Sequence, residues 1–230
     1  MPACRLVVLI SGSGTNLQAI LDACQTGRLS AQVVAVISNR PGVYGLQRAT
    51  DAGIPHQVID HTRFADRAAF DQVLAQHICT YAPDLILLAG FMRILTSDFV
   101  TQYAGCLLNI HPSLLPNFPG LHTHQRALNA GVTQHGASIH FVTPALDGGP
   151  VVAQTMVPVL PTDDATQLAA RVLAAEHQLY PAVVQWLATG RLSLNAQQQP
   201  VLDGKILHQP IRLQPPDCAG ININHWQPVP

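Results

Sequence analysis

Charge is scarce in this chain. Only 11% of its 230 residues are Asp, Glu, Lys or Arg, where roughly 25% is usual for soluble domains. The net charge is −1 and no run of Lys or Arg occurs, which argues against nucleic acid or an anionic membrane surface as a partner. Cysteine is sparse as well: Cys4, Cys24, Cys79, Cys106 and Cys218 are scattered, odd in number and never spaced Cys-x-x-Cys. That pattern speaks against a disulfide or zinc framework and for free thiols in a reducing compartment. The first apolar run, Leu6–Ile10, closes on Ser11-Gly12-Ser13-Gly14. It is too short for a signal segment or a membrane span, so the expected location is cytoplasmic.

What is present is apolar and rhythmic. A hydrophobic share of 48% and a mean hydropathy of +0.21 suit a compact α/β protein with buried parallel strands. Apolar runs at 5–10, 32–38, 56–59, 84–90 and 106–110 read as strands. Between them, 15–24, 45–52, 65–80 and 97–104 carry helical periodicity, with Phe70, Val73, Leu74, His77 and Ile78 lining one stripe. Strands are predicted again at 136–142 and 151–159, followed by a long helix over 164–188 and a small hairpin near 201–207. The expected fold is α/β: a doubly wound, mostly parallel sheet with helices on both faces and an antiparallel strand at one edge. The expected organisation is one domain over 1–208, with halves 5–103 and 104–208, and a loose tail at 209–230.

Two stretches carry candidate chemistry. In ISGSGTNLQ (10–18) a glycine-rich turn joins the first strand to the first helix, a natural phosphate seat of backbone amides. A dinucleotide fingerprint wants a third glycine, but Leu17 stands there, and the second strand ends in Ser38-Asn39-Arg40 without an acidic ribose ligand. One phosphate on Gly14, Thr15 and Asn16 fits better, although a plain tight turn with helix caps would use the same residues.

In LLNIHPSLLPNFPG (107–120) strand alternation sends Asn109 and His111 to one side, at the C-terminal rim of a strand that Pro112 stops. ALDGGP (145–150) supplies a carboxyl, Asp147, in a flexible loop. A carboxylate beside His111 favours imidazolium, and Asn109 adds a second donor. Two donors aimed at one point suit an oxygen gaining negative charge in acyl transfer. No nucleophile elbow accompanies them, so direct transfer between two bound substrates is simpler than a covalent enzyme. Each residue also has a bland role: His111 as a satisfied polar strand end, Asp147 as an Asp-Gly turn. Glu176 lies on the core stripe of the long helix with Leu168, Val172, Leu179 and Val183, which calls for a donor or cation partner unless it reaches water at the stripe's edge. His122 and His124 lack a cysteine at zinc spacing, and no metal is expected.

Several of these stretches, in order along residues 5 to 207, resemble the phosphoribosylglycinamide formyltransferase family. They are Ser11-Gly12-Ser13-Gly14-Thr15-Asn16-Leu17-Gln18, Leu88–Leu95, Asn109–Pro116, Gly120-Leu-His-Thr-His124 and Leu146-Asp-Gly-Gly-Pro150. The resemblance implies a Rossmann-like formyltransferase fold and transfer of a formyl group from 10-formyltetrahydrofolate to glycinamide ribonucleotide. By position it implies a catalytic trio of Asn109, His111 and Asp147. It implies ribonucleotide contacts from Gly14, Thr15, Asn16, Leu17, Gln18 and Glu176. Folate contacts would come from Arg67, Met92, Arg93, Ile94, Leu95 and Asn109, and from Thr143, Pro144, Ala145, Leu146 and Asp147. Ser13 and Thr15 stand where some relatives have Asn and Ser, with amides and a hydroxyl retained. The implied partners are the two small molecules alone, on a monomer or homodimer.

Siblings share such a trio. A methionyl-tRNA formyltransferase would need a further basic domain, yet only Lys205 and Arg212 follow Arg191. A formyltetrahydrofolate hydrolase would carry a domain ahead of the first strand. A sugar-nucleotide formyltransferase, and a non-catalytic folate or nucleotide sensor, are the other readings these residues admit.

Overall fold

The computed structural model describes residues 3–213 and divides into two compact units. Of the described residues, the first comprises 3–109 with 141–145, and the second 110–140 with 146–213.

In the first unit, strands and helices alternate: β1 (Cys4–Ile10), α1 (Thr15–Gln25), β2 (Ala31–Ser38), α2 (Tyr44–Asp51), β3 (His56–Val58), α3 (Arg67–Thr80), β4 (Leu85–Leu88), α4 (Ser97–Gln102) and β5 (Leu107–His111). The strands lie parallel in the order β3-β2-β1-β4-β5. Val7, Leu9, Ile37, Ile86, Leu88 and Leu107 of the sheet pack with Phe70, Leu74 and Ile78 of α3 in one apolar cluster. Full burial of such side chains stabilises by about 1.5–3 kcal/mol each. Asp66 caps α3 by accepting from the Ala69 amide at 2.8 Å.

This order places a crevice by topology alone. From β1 the chain winds outward to β2 and β3, then returns to β4 on the other side, so β1 and β4 are neighbours with Leu9 beside Leu88. The loops leaving their C-terminal ends diverge at that switch point, where open α/β sheets take their ligands. Those loops are Ser11–Gly14 and Ala89–Thr96.

The second unit holds α5 (Thr123–Asn129), β6 (Gln134–Phe141), β7 (Val151–Pro158), α6 (Ala165–Ala188), β8 (Leu192–Leu194), β9 (Pro200–Leu202), β10 (Lys205–Ile206) and β11 (Ile211–Leu213). β7 runs antiparallel to β6, with Ser138 opposite Gln154, and β8, β9 and β10 form a small antiparallel sheet. Gly136 passes so near β7 that an added methyl would sit 1.9 Å from the Thr155 carbonyl oxygen. α6 packs on β7 and α5. It starts with a reciprocal cap: Asp164 accepts the Gln167 amide at 2.8 Å, and the Gln167 side chain accepts the Asp164 amide at 3.0 Å.

The expected mixed, mostly parallel sheet is what forms, with one difference. β7 is not an outer strand, because Ile211–Leu213 pairs parallel to it as β11. Regular structure therefore continues past residue 208; of the expected tail, 214–230 lie outside the described residues, as does Cys218. α5 and β8 were also not expected. α5 follows His122 in the left-handed region, with no side-chain cap to announce it. No helix of the described residues is long and apolar enough to cross a membrane.

Candidate active site

The first unit offers backbone. Gly14 (φ 70°) turns the chain from β1 into α1, leaving Thr15 and Asn16 on the first turn with Leu17 buried behind them. Gly14 rests against Gly45 at the start of α2, where an added methyl would meet the Gly45 Cα at 2.7 Å. Arg48 of α2 braces the loop: its Nε donates to the Ser13 carbonyl at 2.9 Å and its Nη1 to the Gln18 side chain at 3.0 Å. Gln18 in turn donates to Asp22 at 2.8 Å, so its amide group is engaged within the protein.

Across the switch point, Met92 and Ile94 are exposed while Leu95 is buried, and the Arg93 guanidinium stacks 4.4 Å from the Phe70 ring centre. Arg67 is exposed at the first turn of α3. Thr143 is half-buried, and Pro144 and Ala145 are exposed. Asn109, half-buried, ends the first unit on β5 beside Leu88 of β4.

The second unit offers titratable side chains. Two residues beyond Asn109 on the same strand, the buried His111 ring has a partner on each nitrogen. Nε2 lies 3.0 Å from the Phe118 carbonyl oxygen, and Nδ1 lies 3.5 Å from Asp147 Oδ2. A carbonyl only accepts, so Nε2 carries a proton and donates to it. Asp147, at φ 49°, accepts the Gly120 amide at 2.8 Å, and its Oδ1 faces His140 Nε2 at 3.8 Å. The imidazole and the carboxyl thus meet within ion-pair range, both almost wholly buried. Leu146 beside Asp147 is exposed, and Glu176 is buried on α6.

The His111 turn is held rigidly. Ser138 Oγ donates to the Ser113 carbonyl at 2.6 Å and accepts the Leu115 amide at 3.0 Å, while Gln154 donates to the Leu115 carbonyl at 2.8 Å. Near it, His124 and His135 meet edge to face at 5.3 Å. Burial, with neighbouring His124 and His111 adding to it against the Pro112 backbone, pushes His135 down to about 4. Burial and His111 lower His124 likewise. His122 and His124 therefore part company: the first precedes α5 exposed, the second packs on His135. Among the described residues no group of three or more His, Cys, Asp or Glu is placed to hold a metal ion. Burial also raises the thiols of Cys4 and Cys24 to about 11, far from thiolate chemistry near neutrality.

Sequence reasoning missed His140, Gly120 and Phe118. His140 carried one signal, a histidine inside an otherwise buried strand; the amide of Gly120 and the carbonyl of Phe118 carry none, because every residue has them.

Residues 4–184 match the formyl transferase family. The chain belongs to that family. Phosphoribosylglycinamide formyltransferase of Escherichia coli (strain K12) is 52% identical over 203 residues, spanning 88% of this chain and 95% of that protein. The trifunctional purine biosynthetic protein adenosine-3 of Homo sapiens is 45% identical over 190 residues, 83% of this chain but 19% of that protein. Among solved structures, phosphoribosylglycinamide formyltransferase from Coxiella burnetii superposes with a TM-score of 0.85 at 51% identity, covering 89% of this chain and 96% of that one. As a member of the formyl transferase family the chain is an enzyme, and the group it moves is formyl.

Proposed function

We propose that this formyl transferase moves the formyl group of 10-formyltetrahydrofolate to the amine of 5-phosphoribosylglycinamide, a step of de novo purine biosynthesis. The observation that carries the reading is the buried His111 ring, set between the Asp147 carboxyl at 3.5 Å and the Phe118 carbonyl at 3.0 Å, two residues after Asn109 on one strand. The match to formyltransferases of this substrate over most of both chains supports it.

The neutral amine attacks the formyl carbon, and the carbonyl π electrons move onto oxygen. The Asn109 amide and a His111 N–H stabilise that oxyanion, while Asp147 orients the ring. The oxyanion accepts a hydrogen bond from Nε2–H in place of the Phe118 carbonyl oxygen, which accepts it in the free protein, and the proton stays on the ring. Collapse of the tetrahedral centre breaks the bond to the folate nitrogen, and the proton lost by the amine ends on that nitrogen. Gly14, Thr15, Asn16, Leu17, Gln18 and Glu176 hold the ribonucleotide. Arg67, Met92–Leu95 and Thr143–Asp147 hold the folate, with Met92–Leu95 meeting the pterin through backbone groups and apolar surface.

Purified protein with both substrates, followed by the absorbance of the product folate, tests this directly. Turnover that needs both substrates is expected. No turnover, or folate deformylation without the amine, would overturn it.

A further inference from the structure

The segment between β4 and α4 has no regular structure, yet buried side chains fix both ends of its second half, Met92–Thr96. At one end the Met92 amide donates to Ser11 Oγ at 2.7 Å, and Ser11 donates onward to Asn39 Oδ1 at 2.6 Å. Ser11 is 5% exposed and Asn39 1%. At the other end the Thr96 amide donates to Asp71 Oδ2 at 2.6 Å. Thr96 is also the cap of α4, accepting the Phe99 amide at 3.4 Å, so Asp71 fixes the residue from which the next helix starts.

Asp71 is costly where it stands. It lies on the core side of α3 next to Phe70, 3% exposed, and its Oδ1 is buried with no hydrogen-bond partner among the described residues. A buried carboxyl with one oxygen unmatched weakens a core that an apolar residue would strengthen, so its place calls for a role other than packing. Among the described residues, its side chain's one hydrogen bond is to the backbone of this loop.

We propose that Asp71 and Ser11 are positioning residues for the formyl donor. They clamp the two ends of Met92–Thr96 and hold its intervening amides and carbonyls in the shape the donor meets, without touching the donor themselves. The proposal rests on the reading that Met92–Leu95 faces the folate.

Steady-state kinetics on the full chain tests it with three variants. Asp71→Asn keeps an acceptor for the Thr96 amide, and the donor KM should stay within about twofold. Asp71→Ala removes the acceptor and should raise the donor KM about tenfold or more, with kcat within about threefold and the KM for phosphoribosylglycinamide unchanged. Ile94→Glu tests the underlying reading and should raise the donor KM by itself. In the substrate-free protein, amide exchange over 92–96 should quicken in Asp71→Ala and not in Asp71→Asn. A folded Asp71→Ala with an ordinary donor KM, beside an Ile94→Glu that raises it, overturns the proposal and leaves the loop's assignment standing. An ordinary donor KM in Ile94→Glu brings down the assignment and the proposal together. If Asp71→Ala does not fold, Ser11→Ala decides: about a tenfold rise in donor KM supports the clamp, and no rise overturns it.

Discussion

The two units present their candidate groups in opposite ways. Besides the Asn109 side chain at its end, the first offers main-chain amides and carbonyls on two loops, made possible by glycines and steadied by Arg48, Ser11 and Asp71. The second offers the His111 imidazole, next to a turn bonded to Ser138 and Gln154, and the Asp147 carboxyl, which accepts the Gly120 amide. Main-chain groups recognise a ligand at any ordinary pH and do not titrate. Side chains such as His111 and Asp147 can take part in the transition state. Damage to the first unit's loops should therefore appear as lost affinity, and damage to the second unit's pair as lost turnover.

The sharpest break of that contrast is at Asp147 and Asn109. Asp147→Asn, and likewise Asn109→Ala, should lower kcat by ~10²–10³ with small changes in either KM, as loss of oxyanion stabilisation does. Near-normal turnover in both would refute their assignment. Next, Gly14→Ala forces a side chain into φ 70° and against Gly45, and should raise the ribonucleotide KM by roughly tenfold with kcat nearly intact. A fall in kcat alone would show that this loop is not merely a seat.

Stability against pH sharpens the comparison further. Folded His135 stays neutral down to about 4, whereas in the unfolded chain it takes a proton near 6.5. The unfolded state then binds more protons between those values, so stability is full above about pH 6.5 and falls as pH drops toward 4, by up to about 3 kcal/mol. Denaturant melts across that range should show the fall, and His135→Gln should flatten it. The smallest effect is expected at the exposed Arg191–Asp203 pair, 2.6 Å apart: Arg191→Ala should cost under about 1 kcal/mol in the same melts.

Much of this was legible in the sequence, for identifiable reasons. Apolar runs alternating with helical stretches implied the doubly wound, mostly parallel sheet, since buried parallel strands leave almost no room for polar residues. Asn109 and His111 stood out because polar groups two apart at the end of such a run share a face. Asp71 was not legible: it lies beside Phe70 in helical periodicity, and only the loop it bonds explains its burial. α5 hid because it is short and starts without a capping side chain, and β8 and β11 because three residues make no periodic signal. The pairing of His124 with His135 joins residues whose spacing says nothing about contact.

The back-to-back contact of Gly14 and Gly45 has a practical corollary. Each occupies space the other's missing methyl would fill, and a methyl on Gly45 would also strike the Ile10 side chain at 2.5 Å. Anyone redesigning the first loop for a bulkier or differently charged headgroup would have to rebuild the opening turn of the second helix in the same step, because neither piece is free to change shape alone.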